Sequence, residues 1–166
     1  EDYEKWCFNV DIKKEADYRK DMINFLESDK QLIEKISRID AGGLKPIIND
    51  FDVFIDHISS YKKGLTLTNG LFNLKRKDLL KLNSAFSHPE ELPKTVKQQD
   101  TVLLHFFYLV SKRLGLCRYT KTMSLTSTAL HQDFSDLSQP QKYWFLFRGL
   151  WDKINWISLN EYSTSG

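Results

Sequence analysis

Lys75, Arg76 and Lys77 form a run of three cations where the residue pattern predicts a helix from about Leu74 to Ala85, N-capped by Asn73. A helix N-terminus carries partial positive charge, so cations in its first turn are misplaced unless an anion joins them. Free first-turn N–H groups beside Lys and Arg make such an anion site, and phosphate is the anion that nucleic acids supply. A second set, Lys97, Thr101, His105, Tyr108 and Lys112, recurs at intervals of 4, 4, 3 and 4, which places it on one face of a further predicted helix. Cation, hydroxyl and aromatic groups on one face are the chemistry of duplex recognition, although this face lacks the Arg and Asn that read base edges best. Arg118 and Lys121 lie on a predicted hairpin, where two cations suffice to position a nucleic-acid backbone. Each set has a plainer reading. The cations are then solvated surface, His105 and Tyr108 are hydrogen-bonded packing residues, and the hairpin is an ordinary exposed one.

Enzymatic chemistry has little to stand on. In the stretch DFDVFIDH, Asp52, Asp56 and His57 bring carboxylates and an imidazole together, the ligand types that hold metals. The same spacing arises on any acidic helix face, and no HExxH or EF-hand pattern accompanies it. The histidines His57, His88, His105 and His131 are scattered, and neither a nucleophile elbow nor a phosphate-binding glycine loop occurs among the 7 glycines. Cys7 and Cys117 form no CxxC and lack an obvious activating base, although Arg118 adjoins the second. The expectation is a non-enzymatic protein with no catalytic residue, no cofactor and no metal.

Charge distribution points the same way. The net charge of +2 conceals a balance of −5 over residues 1–60, +8 over residues 61–121 and −1 over residues 122–166. The middle block alone holds 12 Lys/Arg against 4 Asp/Glu, an asymmetry that asks for an anionic partner. At 166 residues, 41% hydrophobic and 13% aromatic, the chain is long enough to bury a core and too apolar for disorder. No apolar run approaches the 18 residues or more that spanning a membrane requires, so no membrane association is expected. Two cysteines without a pairing pattern suit a reducing compartment, and a cytoplasmic location is expected. The chain opens at Glu1 without a signal-like stretch, which suggests a fragment of a longer protein.

The elements that would position these residues can be read in order. An acidic N-terminal arm is helical from about Glu15 to Ile39, with a polar break at Ser28-Asp29-Lys30, and Ala41-Gly42-Gly43 ends it as a linker. Pro46 opens an amphipathic helix whose stripe is Ile47, Phe51, Phe54, Ile55 and Ile58, with Asp50, Asp52 and Asp56 elsewhere on the wheel. A short strand at Leu65 and an Asn69-Gly70 turn lead into the basic helix. After a loop from Ser87 to Pro93, Thr95 and Gln98 match a capping box. The helix they open runs to Leu114, is closed by Gly115, and has Leu103, Phe106, Phe107, Val110 and Leu114 as its core face. Leu116 to Thr126 reads as a hairpin turning at Thr120-Lys121, followed by a short helix over Ser127 to Phe134. A second capping box, Ser138 with Gln141, opens a last helix through Ile154. That helix carries Tyr143, Trp144, Phe145, Phe147 and Trp151, more aromatic area than one buried stripe needs, with Gly149 inside it. Two readings of it remain: a core helix covered on two sides, or a face for a homodimer or another domain.

The fold class expected is mainly α with a small β-hairpin (α+β), in the helix, strand, helix, helix, hairpin order of a winged helix-turn-helix. The segments LTLTNGLFNLKRKDLLKLN, LLHFFYLVSKRLGLCR, MSLT and LSQPQKYWFLFRGLW resemble the winged-helix-like C-terminal region of a bacterial family named for an open reading frame on a root-inducing plasmid. The resemblance spans Leu44 to Trp151 and rests on apolar, Gly and Thr positions. It implies the fold and a bacterial origin within a longer protein, and it carries over no function and no site residues. The expected organisation is a helical arm and linker over 1–43, a winged-helix-like domain over 44–156 and a tail over 157–166. The expected function is nucleic-acid binding, double-stranded DNA being the expected partner, through Lys75, Arg76, Lys77, Lys97, Lys112, Arg118 and Lys121. The alternative is a protein-interaction or dimerisation module that makes its contact through the 141–154 helix and does not bind nucleic acid.

Overall fold

The computed structural model describes residues 15–38 and 45–153. Cys7, the Ala41-Gly42-Gly43 linker and the 157–166 tail lie outside the described residues. Within them the chain is mainly helical: α1 (Glu15–Ser28), α2 (Lys30–Arg38), α3 (Lys45–Ser59), β1 (Leu65–Thr66), α4 (Arg76–Ala85), a 3₁₀ turn (Gln98–Asp100), α5 (Val102–Arg113), β2 (Cys117–Tyr119), β3 (Ser124–Ser127), α6 (Leu130–Ser135) and α7 (Gln139–Lys153). The expected hairpin forms, and β1 joins it to give a three-stranded antiparallel sheet in the order β1-β3-β2. Leu65 pairs with Leu125 on one side of β3, and Cys117 pairs with Ser127 on the other.

A cluster of phenylalanines holds the helices together. Phe51, Phe54, Phe107, Phe134 and Phe145 are each fully buried, and Phe51 meets Phe107 and Phe134 edge-on at 5.1 and 5.4 Å. Each such side chain stabilises the fold by roughly 1.5–3 kcal/mol relative to exposure, and each edge-on pair adds about 0.5–1.5 kcal/mol. The central element is α5, which packs on α3, α4, α7, β2 and the 3₁₀ turn. Its end is a Schellman motif: the Leu116 N–H donates to the Ser111 carbonyl and the Gly115 N–H to that of Lys112. Gly115 adopts φ +74° there, and the Tyr18 ring from the arm lies where a Cβ would be.

The arm docks on α7 and α6. Its polar break is a corner that presents Asp29, whose carboxylate accepts the Trp144 indole N–H at 2.9 Å. Phe25 packs on Phe145, and Arg19 pairs with Asp133 at 2.6 Å. Ser138 and Gln141 make the expected reciprocal start of α7, with the Gln141 side-chain oxygen accepting from the Ser138 N–H and hydroxyl. Gly149 faces Leu114, whose side chain occupies the space within 2.6 Å of a would-be Cβ.

Several boundaries differ from expectation. The basic helix begins at Arg76 with Lys75 as its N-cap, because Asn73 is engaged in the preceding turn: its N–H donates to Thr68 Oγ1 and its carbonyl accepts the Thr68 N–H. Thr95 does not cap α5. The Asp100 carboxylate takes the Lys97 N–H at 2.7 Å, which tightens residues 98–100 into a 3₁₀ turn and delays the helix to Val102. Within α3, Ile47 is 38% exposed while Ile48 is buried, and Asp50 turns inward to accept the Ser87 N–H and hydroxyl at 2.7 and 2.8 Å. Leu103 and Phe106 are only partly buried, whereas Leu104, Phe107 and Tyr108 are buried. The short helix begins at Leu130, since Ser127 still pairs in β3.

Candidate nucleic-acid interface

The first turn of α4 shows what the three cations face. Lys75 is the N-cap with no side-chain cap bond, Arg76 and Lys77 are exposed, and Asp78 follows them in the same turn. Asp78 is 2% exposed, so the turn already holds a buried carboxylate of the favourable sign. That carboxylate looks inward: its Oδ1 accepts from His57 Nε2 and from the Tyr61 hydroxyl, both at 3.2 Å. Burial, and then the negative charge of Asp78, raise the pKa of Tyr61 above its ordinary value. The buried pair ties α4 to α3, while Arg76 and Lys77 beside it are exposed and Lys75 is half-buried.

Hydrogen bonds link the segments that carry the separate basic positions. Gln98, next to Lys97, accepts the Leu74 N–H at 2.7 Å, and Leu74 adjoins Lys75. Two residues earlier, the Phe72 carbonyl accepts from the Tyr108 hydroxyl. Tyr108 in turn meets the Tyr119 hydroxyl at 2.8 Å, and Lys112 Nζ donates to Tyr119 while lying 4.1 Å from the centre of its ring. An ammonium can only donate and a carbonyl only accept, so the proton order runs Lys112 to Tyr119 to Tyr108 to Phe72. Arg118 adjoins Tyr119 and is exposed, as is Lys121 at the hairpin turn. A Cβ on Gly64 would sit 3.5 Å from Thr120 Cγ2, so the residue that directly follows the exposed Lys62 and Lys63 packs against that turn. These two lysines belong to the same basic block, and sequence reasoning misses them because they precede the strand instead of lying on a helix or wing.

Internal partners separate the acids from these cations. Asp29, Asp52 and Asp133 form ion pairs with Arg148, Lys142 and Arg19, and Asp56 and Asp78 lie against His131 and His57. Among the described residues, Lys62, Lys63, Lys75, Arg76, Lys77, Lys97, Arg118 and Lys121 enter no ion pair. Five aspartates are engaged internally, whereas of the middle block's cations Lys112 is held over the Tyr108 and Tyr119 rings and these eight enter no ion pair.

The helical face expected to meet a groove does not form one exposed surface. Lys97 precedes α5, Thr101 and Tyr108 are 1% and 3% exposed, and Lys112 is held over the Tyr108 and Tyr119 rings. His105 is half-buried and its pKa is lowered, by burial first and by the Lys112 charge second. The Asp52, Asp56 and His57 triplet also disperses, toward Lys142, His131 and Asp78, and no metal-ligating cluster occurs among the described residues. Burial pushes the Cys117 thiol up to about 12, the chemistry of an inert packing residue. Among the described residues no helix is long and apolar enough to cross a membrane. No family model, curated protein or solved structure matches this chain.

Proposed function

We propose that this chain is a non-enzymatic, winged-helix-like domain of a longer bacterial, cytoplasmic protein, and that it binds double-stranded DNA through phosphate contacts. The order α3, β1, α4, α5, β2, β3 with β1 alongside β3 supports the winged-helix part of the reading. The observation that carries the binding part is the set of cations without internal ion pairs, half-buried at Lys75 and exposed elsewhere, linked from Lys97 through Lys75, Arg76 and Lys77 to Arg118 and Lys121. With α5 embedded, the contact is to backbone and not to base edges, so binding is expected to be strong at low salt and indifferent to sequence. Fluorescence anisotropy of a labelled random duplex, titrated at low and then moderate salt, tests this. Steep weakening with salt is the expected result; no binding at low salt would end the proposal.

A second reading has its own observation. On α7, Phe147 and Trp151 are 37% and 65% exposed and stack at 6.1 Å with their planes only 15° apart. Such a face suits a second copy of the chain or another domain of the same protein. Under this reading Trp151→Ala lowers the mass of an assembly seen by light scattering and leaves the unfolding midpoint unchanged, since an exposed ring contributes little to the core. An unaltered mass would remove the reading.

A further inference from the structure

Gln98 is 1% exposed, and both ends of its amide are engaged. Its Oε1 stands 2.7 Å from the Leu74 backbone nitrogen, and its Nε2 stands 3.1 Å from His105 Nδ1. A backbone N–H can be met only by an acceptor, so the orientation of the amide is determined: oxygen to Leu74, nitrogen to His105. The nitrogen is a donor, and Nδ1 of the ring must therefore accept. A neutral imidazole with its proton on Nε2 satisfies this arrangement, whereas a protonated imidazole presents a second donor where the first already stands. We propose that Gln98 and His105 form a pH-sensitive latch on the segment entering α4, closed when His105 is neutral and opened when the ring takes up a proton.

The surroundings favour the closed form near neutrality. Lys112, on the same helix, is the charged group acting on the ring, and with burial it disfavours protonation. From the 3₁₀ turn the ring faces the neutral Gln98 amide, while Asp100 on that turn is engaged with the Lys97 N–H. The packed faces of α3, α4, α7 and β2 bring it no carboxylate partner among the described residues. The sign follows from linkage. A ring whose pKa is depressed in the closed form holds the latch fully above its ordinary pKa of about 6.5 and progressively loses it as pH falls toward the depressed value. On opening, Leu74 loses the acceptor that orders the residue just before Lys75. The Phe72 carbonyl is still held by Tyr108, so the opening is local to the start of α4.

The latch is independent of nucleic-acid binding and is observed on the full chain without ligand. Nitrogen-15 NMR of His105 is expected to show the proton on Nε2 at neutral pH. Hydrogen exchange at the Leu74 amide, corrected for intrinsic rate and referenced to the Val110 amide in the core, is expected to lose protection by roughly tenfold per pH unit between about pH 6.5 and the ring's own pKa. In His105→Asn the side-chain oxygen replaces Nδ1 as acceptor and cannot protonate there, so Leu74 protection becomes independent of pH. In Gln98→Glu the carboxylate meets both Leu74 and a protonated ring, so the dependence reverses and protection rises on acidification. Leu74 protection that stays flat while the wild-type ring titrates would overturn the latch. So would a neutral ring carrying its proton on Nδ1, and these two wild-type readings decide the matter even where a variant does not fold.

Discussion

At the scale of single residues, side chains with the same chemistry are separated by what lies next to them. Lys142 and Lys77 are both lysines near a helix start, yet Lys142 is 9% exposed and held by both oxygens of Asp52 at 3.0 and 3.1 Å, while Lys77 faces solvent. Sequence alone does not distinguish them, because the partner of Lys142 lies 90 residues away. Gly115 is the opposite case, legible in its backbone role. A helix stop asks for a left-handed residue after the cap, and Gly115 supplies φ +74°, where a side chain costs about 1–2 kcal/mol. What sequence does not show is the Tyr18 ring standing in the place of its missing Cβ. Gly115→Ala is therefore expected to lower stability by more than the backbone cost, on the order of 2–4 kcal/mol in urea unfolding once overpacking is included. In the Tyr18→Ala background the same substitution should fall back toward about 1–2 kcal/mol. Equal losses in both backgrounds would show that the arm does not press on Gly115.

At the scale of elements, periodicity identified the amphipathic helices and failed on α5. A helix with one apolar stripe sorts its own residues into inside and outside, as α3 does for Phe51, Phe54, Ile55 and Ile58. On α5 neighbours pack around most of the circumference, so the polar positions Thr101 and Tyr108 are interior and hydrogen-bonded instead of facing a groove. The segment between β1 and α4 depends on them. Phe72 takes a left-handed φ of +51°, and its carbonyl is held by Tyr108 at the end of the proton order that begins at Lys112. Tyr108→Phe keeps the ring and removes that bond, leaving a buried carbonyl without its donor. The expected loss is about 1–3 kcal/mol, measured by urea unfolding, with faster hydrogen exchange across residues 68–75. An unchanged exchange pattern there would mean the segment is held by its own turn alone.

At the scale of the whole molecule, the proposed function is a statement about where charge ends up. The fold engages three aspartates in ion pairs with Arg19, Lys142 and Arg148 and two more against His57 and His131, while Lys112 apart, the 61–121 cations named above enter no ion pair. The acidic arm has the sign to neutralise that block, but it docks on α6 and α7 through Arg19, Phe25 and Asp29. If the block binds duplex, replacing Lys75, Arg76 and Lys77 together by Ala should weaken all sequences alike. The slope of log affinity against log salt should then flatten by up to about 0.9 for each phosphate that is no longer neutralised. A slope unchanged by the triple replacement would place the binding surface elsewhere on the molecule. The helical class, the hairpin, the arm with its polar break at Asp29, the helix stop at Gly115 and the lopsided charge are legible along the chain, because each is written in local spacing, propensity or composition. Tertiary contacts alone establish that β1 pairs with β3, that Asp78 turns inward to His57, that Gly64 packs on the hairpin turn, and that Thr101 and Tyr108 are interior. Those outcomes rest on pairings such as Leu74 with Gln98 and Phe72 with Tyr108, 24 and 36 residues apart. Their geometry exists only after the loops between them have closed, and no periodicity along the chain encodes it.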